Sequence, residues 1–516
     1  MRLERNDWPW LASLLAIGCL TLGVFALTAY RFTSGQGGVP LDDAWIHFQF
    51  ARNLARGDGL SFNPGHPTSG STAPLWTLLL AAVYFTGGAV NGPVAGQLLS
   101  GACFLAVLAA TYALGKQLTG SRWAAWLAGA VVATNGRLVW AGLSALETCL
   151  FATLSLLAIG AHLSDRSALR QAQGNARHYR LRTAALFGLA ALARPEGYLL
   201  FALALADFLF ALTIQGNEPW CTRWRRLPIL PTLLFAAIVL PYFLFSLHTS
   251  GHLLPNTYHA KAIVNLLPDR DFLSLTARYL IQDNLPLLPF FLFGLILLIE
   301  RASLLSLWSA GLPLVYAFLH AVLYQHGRYL IPLIPCNAVI GIAGLLEARR
   351  LAARRGCRWR SSQRTLAALV GLLVVVGTAW RLPTAASEYA WNVDNINEMH
   401  VALGHWVAEH TPPDTLLALN DIGAITYISE RQVVDLAGLI TPEVVPLLRA
   451  PDRDSRLADF MAGRDVQYVI IFPNWFPDLA ARRDLLEPVH QVTLEHNTIA
   501  GGETMVVYRA HWHESD

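Results

Sequence analysis

The chain has 516 residues, of which 54% are hydrophobic and only 14% are charged. Soluble domains carry roughly a quarter charged residues, so this composition indicates an integral membrane protein. The net charge of +3 gives no support to nucleic acid as the main partner, and the six cysteines fit neither a zinc-site spacing nor a disulfide framework.

The apolar runs and the arginines together predict how the chain crosses the membrane. The first run, Trp8–Tyr30, exceeds the core of a signal peptide and predicts a retained first helix with a cytoplasmic N-terminus. Loops rich in arginine mark the cytoplasmic side, and they are 164–182, 223–226 and 347–364. This orientation holds only if Pro74–Val90 is a re-entrant or interfacial element that does not cross. About eleven spanning helices result, with the C-terminus outside.

Residues 31–93 form the predicted first outer loop, which contains two adjacent carboxylates, Asp42 and Asp43. Ionisable groups at the membrane edge are costly unless they have a partner or a function. Residues 45–60 then repeat apolar side chains at helical spacing, which predicts an amphipathic helix that lies in the interface. The alternative is a solvated loop whose acids only cap this helix.

From residue 382 onward, short apolar runs alternate with helical segments, which predicts a small α/β domain with a mainly parallel sheet. The predicted strands are LLALN, QVVDLAG, VQYVIIF and MVVYRA, and the predicted helices are Glu443–Leu448 and Ser455–Ala462. The stretch NDIGAITYIS lacks the three-glycine fingerprint of a dinucleotide site. We expect this domain to cover the membrane site or to contact an acceptor.

Acidic groups also interrupt the apolar runs on the outer side. Glu147 stands where a helix begins, and stabilisation by the helix dipole is the alternative to a functional role. The segment Arg194–Pro195–Glu196–Gly197 breaks a hydrophobic run. It is either a self-neutralising kink or a broken helix whose polar groups face a water-filled cavity.

Two outer segments supply cations and hydrogen-bond donors. In PNTYHAK, Lys261 follows Tyr258 and His259, and such groups suit a phosphate at the membrane surface. A lysine that only anchors the chain at the interface is the alternative. In QHGRYLIPLIP, the polar residues at the mouth of the next helix are His326, Arg328 and Tyr329.

Acids at one end of an outer site and cations at the other favour group transfer from a lipid phosphate. A carboxylate can take the proton of an acceptor hydroxyl, and cations stabilise the charge on a departing phosphate. The sequence has no G-x-S-x-G and no P-loop, so serine hydrolysis and ATP-driven transport lack their motifs. A secondary transporter predicts repeated halves, and the sequence shows no repeat.

The quoted motifs, with DDAWIHFQFARNL, GDGLSFNPG, STAPLW, LSALETCLF, ARPEGYLL and GRYLIPLIP in this order, resemble the polytopic GT-C glycosyltransferases. The resemblance is closest to the bacterial branch with cell-envelope arabinofuranosyltransferases, and the last domain is similar to the outer domain of that branch. It implies an inverting transfer from a polyprenyl-phosphate sugar, with a catalytic aspartate in the first outer loop. That aspartate is Asp42 or Asp43, with Asp42 favoured.

The resemblance also implies roles for the other outer residues. Those expected to bind the donor phosphate are Lys261, Arg328, Arg194 and His259. Those expected to orient the sugar or the acceptor are Glu147, Glu196, Tyr258, His326 and Tyr329. Some relatives use a divalent metal and others do not, so a Mg²⁺ or Mn²⁺ ion stays an open expectation.

The sequence therefore predicts a catalytic membrane domain, residues 1–381, and a periplasmic α/β domain, residues 382–516. We expect a multi-pass enzyme of the bacterial inner membrane that transfers a sugar, arabinofuranose by the resemblance. Its expected partners are the lipid-linked donor, the bilayer and an acceptor that is an envelope glycan or a surface protein. A lipid-linked oligosaccharide ligase, which uses a diphosphate donor, is the alternative enzyme class.

Overall fold

The computed structural model describes residues 4–87, 92–171, 180–214, 227–253, 255–256, 258, 265–319, 324–354 and 360–512. Helices dominate the chain up to residue 379. They are α1 (Trp8–Phe32), α2 (Asp43–Arg56), α3 (Pro74–Gly87), α4 (Gly92–Thr119), α5 (Arg122–Ala133), α6 (Gly136–Leu143), α7 (Thr148–Gln171), α8 (Leu181–Ala193), α9 (Glu196–Ile214), α10 (Ile229–Ser250), α11 (Arg270–Asn284), α12 (Leu288–Leu297), α13 (Ser303–Phe318), α14 (Ile334–Arg354) and α15 (Arg360–Ala379).

Within the described ranges, seven helices combine the length and the apolar composition that crossing a membrane requires. Four shorter apolar helices of 10–17 residues accompany them. The expectation of a multi-pass helical membrane protein is confirmed. The number of about eleven spans and their orientation stay predictions, because no bilayer fixes which of the shorter helices cross.

The predicted first outer loop contains the helices α2 and α3, and both are shorter than the hydrocarbon core of a bilayer. Each has 14 residues, a length of about 21 Å, against a hydrocarbon core of about 30 Å. Helix α2 ends at Gly57, whose φ of +93° gives a left-handed C-terminal cap. Nine of its residues are buried, because it packs against α3 and α4 on the membrane side and against the last domain above.

The last domain contains one five-stranded sheet with the strand order β2–β1–β3–β5–β4. The strands are β1 (Leu416–Leu419), β2 (Gln432–Asp435), β3 (Tyr468–Ile471), β4 (Leu486–Thr493) and β5 (Thr504–Ala510). The helices are α16 (Leu382–Asn395), α17 (Ala402–His410), α18 (Gly423–Ser429), α19 (Val444–Leu448), α20 (Arg453–Ala462) and α21 (Pro477–Ala481), and a π-helical turn, Ile396–Val401, joins α16 to α17.

The four predicted strands and both predicted helices of this domain are confirmed, but the sheet is mixed rather than mainly parallel. Strand β1 is parallel to β2 and β3, whereas β5 is antiparallel to β3 and β4. The difference arises from β4, which the sequence did not reveal. It is a largely exposed edge strand with Pro488 at an irregularity, and it returns to β5 through a short connection that only antiparallel strands allow.

The first outer loop and the last domain share a hydrophobic core. Ile46, Phe50 and Phe62 of the loop pack with Leu417 and Ile470 of the sheet. The side chain of Asn63 also pairs with the edge strand β2, donating to the carbonyl of Val433 and accepting from its amide at 2.8 and 3.0 Å. The loop is therefore held between the membrane helices and the last domain, and this position fixes Asp42 and Asp43.

Candidate active site

Asp43 and Arg328 bring two predicted site residues together at the start of α2. The Asp43 Oδ2 atom lies 2.6 Å from Arg328 Nη1. The Asp43 side chain is 32% exposed and that of Arg328 is 11% exposed, so a carboxylate open to solvent meets a largely buried guanidinium. A partly desolvated guanidinium with planar donors is suited to a phosphate, which it can bind through two parallel hydrogen bonds.

Asp42 points to a different partner, although it is the next residue in the chain. Its two carboxylate oxygens accept hydrogen bonds from the backbone amides of Gly423 and Ala424, at 2.8 and 2.7 Å, at the N-terminus of α18. Gly423 allows this contact, since a Cβ atom there would lie 2.3 Å from the Asp42 carbonyl oxygen. Burial and the charge of Asp421 raise the pKa of Asp42 to about 6, against the lowering effect of His400.

Arg194 is the centre of a buried charge cluster. Its guanidinium donates to Glu147 Oε1 at 2.8 Å and to Glu196 Oε1 at 2.7 Å, and all three side chains are at most 10% exposed. Tyr316 donates a further hydrogen bond to Glu196 at 2.6 Å. His47 Nε2 lies 3.5 Å from Glu147 Oε2. Burial alone would raise the pKa of Glu147, but the hydrogen bond from His47 and the charge of Arg194 lower it to about 2.

The local sequence explains how this cluster forms. Helix α8 ends at Ala193, Arg194 is extended at φ −157° and ψ +146°, and α9 begins at Glu196. The two charges therefore stand in a break between two helices, as the sequence predicted. Gly197 is required there, because an added Cβ would lie 2.4 Å from the backbone nitrogen of Ala191. Because Gly197 has no Cβ atom, the end of α8 and the start of α9 can approach closely.

Tyr329 joins the two groups of residues into one site. Its ring lies 5.3 Å from the guanidinium carbon of Arg194 and 5.3 Å from that of Arg328. The ring of Tyr316 lies 5.4 Å away. An aromatic ring within about 6 Å of a guanidinium attracts it electrostatically, and Tyr329 does so with two. The site thus runs from Asp43 through Arg328 and Tyr329 to Arg194.

A strained turn presents Arg328 to Asp43. Gln325, His326 and Gly327 all have positive φ values, of 60°, 61° and 59°. Arg137 donates to the carbonyl oxygens of His326 and Gly327 at 2.8 and 3.1 Å, and Asp283 holds Arg137 at 2.7 Å. Non-glycine residues adopt this conformation at a cost of about 1–3 kcal/mol, so the surrounding contacts determine it.

The structure places His326 in packing contacts instead of beside the charged cluster. Its ring lies 4.7 Å from that of Trp140, and its Nε2 atom lies 2.7 Å from Asn392 Oδ1. Tyr258 is 39% exposed, and Lys261 and His259 lie outside the described residues. The residues that the structure brings together are Asp43, Arg328, Tyr329, Arg194, Glu147 and Glu196.

Two residues of the site were not predicted. His47 lies one helical turn after Asp43 on α2, so the i, i+4 spacing of a helix was a usable signal. Tyr316 lies in the apolar stretch AGLPLVYAF of α13, which has no charged residue, so the sequence carries no such signal. Its role is visible only from the contact with Glu196.

A separate groove of about 1280 Å³ opens beside α2. It is lined by Gly23 and Leu27 of α1 on one side and by Arg52, Arg56 and His405 on the other. The residues of the charged cluster do not line it. Because the paired acids and cations needed for phosphate chemistry lie in the cluster, we place the candidate active site there.

Comparisons with known proteins identify the fold. Residues 391–513 match a family model described as a domain of unknown function (DUF8728). A comparison with curated proteins finds no match. ArnT from Cupriavidus metallidurans in the apo state has a TM-score of 0.63 at 14% sequence identity, covering 98% of each chain. The same protein bound to undecaprenyl phosphate has a TM-score of 0.61 at 13% identity, covering 97% of this chain and 98% of that one.

Two further enzymes share the architecture. The oligosaccharyltransferase AglB from Archaeoglobus fulgidus, in complex with an inhibitory peptide and a dolichol-phosphate, has a TM-score of 0.60 at 12% identity. It covers 99% of this chain and 75% of that one. The arabinofuranosyltransferase AftD from Mycobacteria has a TM-score of 0.52 at 17% identity, covering 99% of this chain and 40% of that one.

The chain has the fold of GT-C glycosyltransferases. The resemblance inferred from the motifs is confirmed at the level of the fold, including the small sheet domain that follows the membrane helices. In this chain, the charged cluster joins the first outer loop to the end of α8 and to the turn before α14. The roles of the individual residues stay predictions.

Proposed function

We propose that the protein is a membrane glycosyltransferase that takes a sugar from a polyprenyl-phosphate donor and inverts its anomeric centre. The observation that carries this proposal is the Asp43–Arg328 ion pair, 2.6 Å across, beside the buried Arg194 cluster in a GT-C fold. Structures of this fold that contain undecaprenyl phosphate or dolichol-phosphate support a lipid phosphate as the donor.

Asp43 is the general base in this proposal. Both oxygens of Asp42 accept backbone hydrogen bonds from the last domain, residues 382–516, which we call the outer domain because the proposal places it outside the membrane. The side chain of Asp42 is buried. Asp43 is 32% exposed and lies beside the cation that suits the donor phosphate. A base must reach both solvent and the acceptor hydroxyl, so Asp43 fits this role better than the residue favoured from sequence.

The reaction follows from these positions. The Asp43 carboxylate takes the proton of the acceptor hydroxyl while the acceptor oxygen forms a bond to the anomeric carbon. The bond between that carbon and the phosphate oxygen breaks, and its electrons leave with the polyprenyl phosphate. Arg328 stabilises the phosphate charge. When the donor phosphate engages Arg328, it competes with Asp43 for the guanidinium and leaves the carboxylate available for the proton.

The remaining residues orient the substrates. Arg194 fixes Glu147 and Glu196, whose remaining acceptor sites can hold sugar hydroxyls. Tyr329, whose ring lies near both arginines, offers an aromatic surface for packing against the sugar. Lys261 and His259 add donors for the phosphate, and Tyr258 contributes to the sugar site. Preorganised carboxylates of this kind discriminate substrates by hydroxyl position.

The donor sugar in this proposal is arabinofuranose, and the acceptor is an envelope glycan or a surface protein. The similarity to AftD supports the pentose. The enzyme acts on the periplasmic side of the bacterial inner membrane, where lipid-linked sugars replace nucleotide sugars. The arginine-rich loops 164–182 and 347–364 support a cytoplasmic position for the opposite face.

A lipid-linked oligosaccharide ligase is the second candidate. The likeness to AglB, an oligosaccharyltransferase, favours it. A ligase of this class uses a diphosphate donor, so the phosphate chemistry of the donor separates the two candidates.

The test is sugar transfer by the purified full-length protein in liposomes. Synthetic polyprenyl-monophosphate arabinofuranose is compared with other monophosphate sugars and with a lipid-diphosphate sugar. Release of polyprenyl phosphate from the monophosphate donor, lost in Asp43→Asn, is the expected result. Turnover of the diphosphate donor alone would favour the ligase, and turnover of no donor would contradict both.

A further inference from the structure

A second cluster of ionisable side chains lies where the outer domain meets the first outer loop. The ligand atoms of Asp42, His400 and Asp421 all lie within 4.8 Å of one another. His400 Nε2 is 3.0 Å from Asp421 Oδ2. The three residues come from the segment before α2, from the π-helical turn between α16 and α17, and from the segment between β1 and α18.

We propose that Asp42, His400 and Asp421 bind a divalent transition-metal ion that fastens the outer domain to the first outer loop. The site is separate from the proposed sugar-transfer residues and does not rest on them. A cation about 2.1 Å from each ligand would hold the ligand atoms about 3–4 Å apart. The observed separations therefore need only small side-chain movements.

The cluster has unused coordination capacity. Each oxygen of Asp42 accepts one backbone amide and keeps a further lone pair. The side chain of His400 is fully buried, yet its Nδ1 atom has no hydrogen-bond partner among the described residues. With the ring proton on Nδ1, the Nε2 atom that faces Asp421 has a lone pair for an ion. Asp421 is 23% exposed, which gives an ion a route to the cluster.

The charges favour a dication over a protonated histidine. Two carboxylates beside a neutral imidazole carry a charge of −2, which a divalent ion balances. A protonated His400 would leave a net charge of −1. Metal binding needs the neutral ring instead.

The ligand types indicate which ion binds. One imidazole and two carboxylates suit Zn²⁺ or Mn²⁺, whereas Mg²⁺ and Ca²⁺ prefer oxygen ligands alone. π-Helical turns such as Ile396–Val401 occur often at functional sites, and here the turn contains His400. We therefore expect Zn²⁺ or Mn²⁺ to bind more tightly than Mg²⁺.

The experiment uses purified, tag-free full-length protein after dialysis against EDTA. Bound metal is measured by elemental analysis after exposure to ZnCl₂, MnCl₂ or MgCl₂, and the unfolding temperature is measured with each ion and no sugar donor. The variants are His400→Gln and Asp421→Asn. The matched controls are His405→Gln, on the exposed side of the same helical segment, and Asp414→Asn, an exposed acid of the outer domain.

The expected result is one equivalent of Zn²⁺ or Mn²⁺ in the wild type and in both controls, with a rise in the unfolding temperature on metal addition. His400→Gln and Asp421→Asn should bind the ion at least about tenfold more weakly and lose that rise. Asp421→Asn is partly exposed and nearly isosteric, so it tests the proposal even if His400→Gln fails to fold. No binding by the wild type, or equal binding by the ligand variants, would overturn it.

Discussion

Asp42 and Asp43 are neighbours in the chain, but their carboxylates bind different parts of the protein. Asp43 pairs with Arg328 before α14, whereas Asp42 accepts the amides of Gly423 and Ala424 in the outer domain. One aspartate thus holds the outer domain on the first outer loop, and the next presents a carboxylate to the candidate active site.

Substitution of each aspartate by asparagine should therefore have different effects. Asp43→Asn should lower donor turnover about 100-fold or more, because the general base is lost, and it should lower the unfolding temperature less than Arg194→Gln, because the amide oxygen of asparagine can still accept from Arg328. Asp42→Asn should mainly lower the free energy of unfolding, by about 1.5–3 kcal/mol, because its amide group faces a backbone amide donor. Turnover and thermal unfolding are measured on the same preparations.

Asp414→Asn serves as the control for both variants, since Asp414 is an exposed acid of the outer domain. The assignment of the base to Asp43 fails if Asp43→Asn keeps near-normal turnover while a stable Asp42→Asn protein loses it. That outcome would restore the assignment favoured from sequence.

The sequence predicted those parts of the site whose residues lie in one continuous segment of the chain. The break Arg194–Pro195–Glu196–Gly197 stands out because charges and helix breakers interrupt an apolar run, and the helix after Asp43 has an amphipathic period. The four buried strands of the outer domain were readable for the same reason. Edge strand β4 was missed because most of its side chains are exposed.

The sequence could not predict which distant groups meet. Nothing near Asp42 indicates that Gly423 would approach it, and nothing near Asp43 selects Arg328 over another cation. His326 illustrates the same limit. Its position near Arg328 in the sequence predicted a site residue, whereas in the structure its ring contacts Trp140 and Asn392. Such pairings depend on how the helices and the outer domain pack.

Removal of Arg194 should destabilise the protein strongly. Arg194→Gln leaves Glu147 and Glu196 buried without their cation. Such a change lowers the free energy of unfolding by about 3–5 kcal/mol. The unfolding temperature in detergent measures the effect. Adding Glu147→Gln and Glu196→Gln to this variant should recover part of the lost stability, because the unpaired charges are then removed.

The control for this variant is Arg482→Gln, which removes an arginine from an exposed pair with Asp484. Its unfolding temperature should stay within experimental error of the wild type. If Arg194→Gln and Arg482→Gln behave alike, the buried charge cluster does not stabilise the protein.

Gly423→Ala should weaken the attachment of the outer domain. The new Cβ would lie 2.3 Å from the carbonyl oxygen of Asp42 and 2.6 Å from its side chain, so α18 must move away. We expect a lower unfolding temperature and faster limited proteolysis between residues 410 and 423. Gly463→Ala, whose nearest atom would lie 3.4 Å away, is the matched control in the same domain and should resemble the wild type. Equal behaviour of both variants would show that the contact with Asp42 is dispensable.

Two substitutions at His326 separate packing from a direct role in transfer. Asparagine tolerates the left-handed conformation at φ 61°, so His326→Asn should keep donor turnover within about twofold while it loses the contacts with Trp140, Asn392 and Glu388. A β-branched residue is strained there, so His326→Val should distort the turn, displace Arg328 and raise the KM for the donor. Steady-state kinetics and unfolding temperature are measured for both. If His326→Asn is stable but as inactive as Asp43→Asn, then His326 acts on the substrate directly, as its position in the sequence predicted.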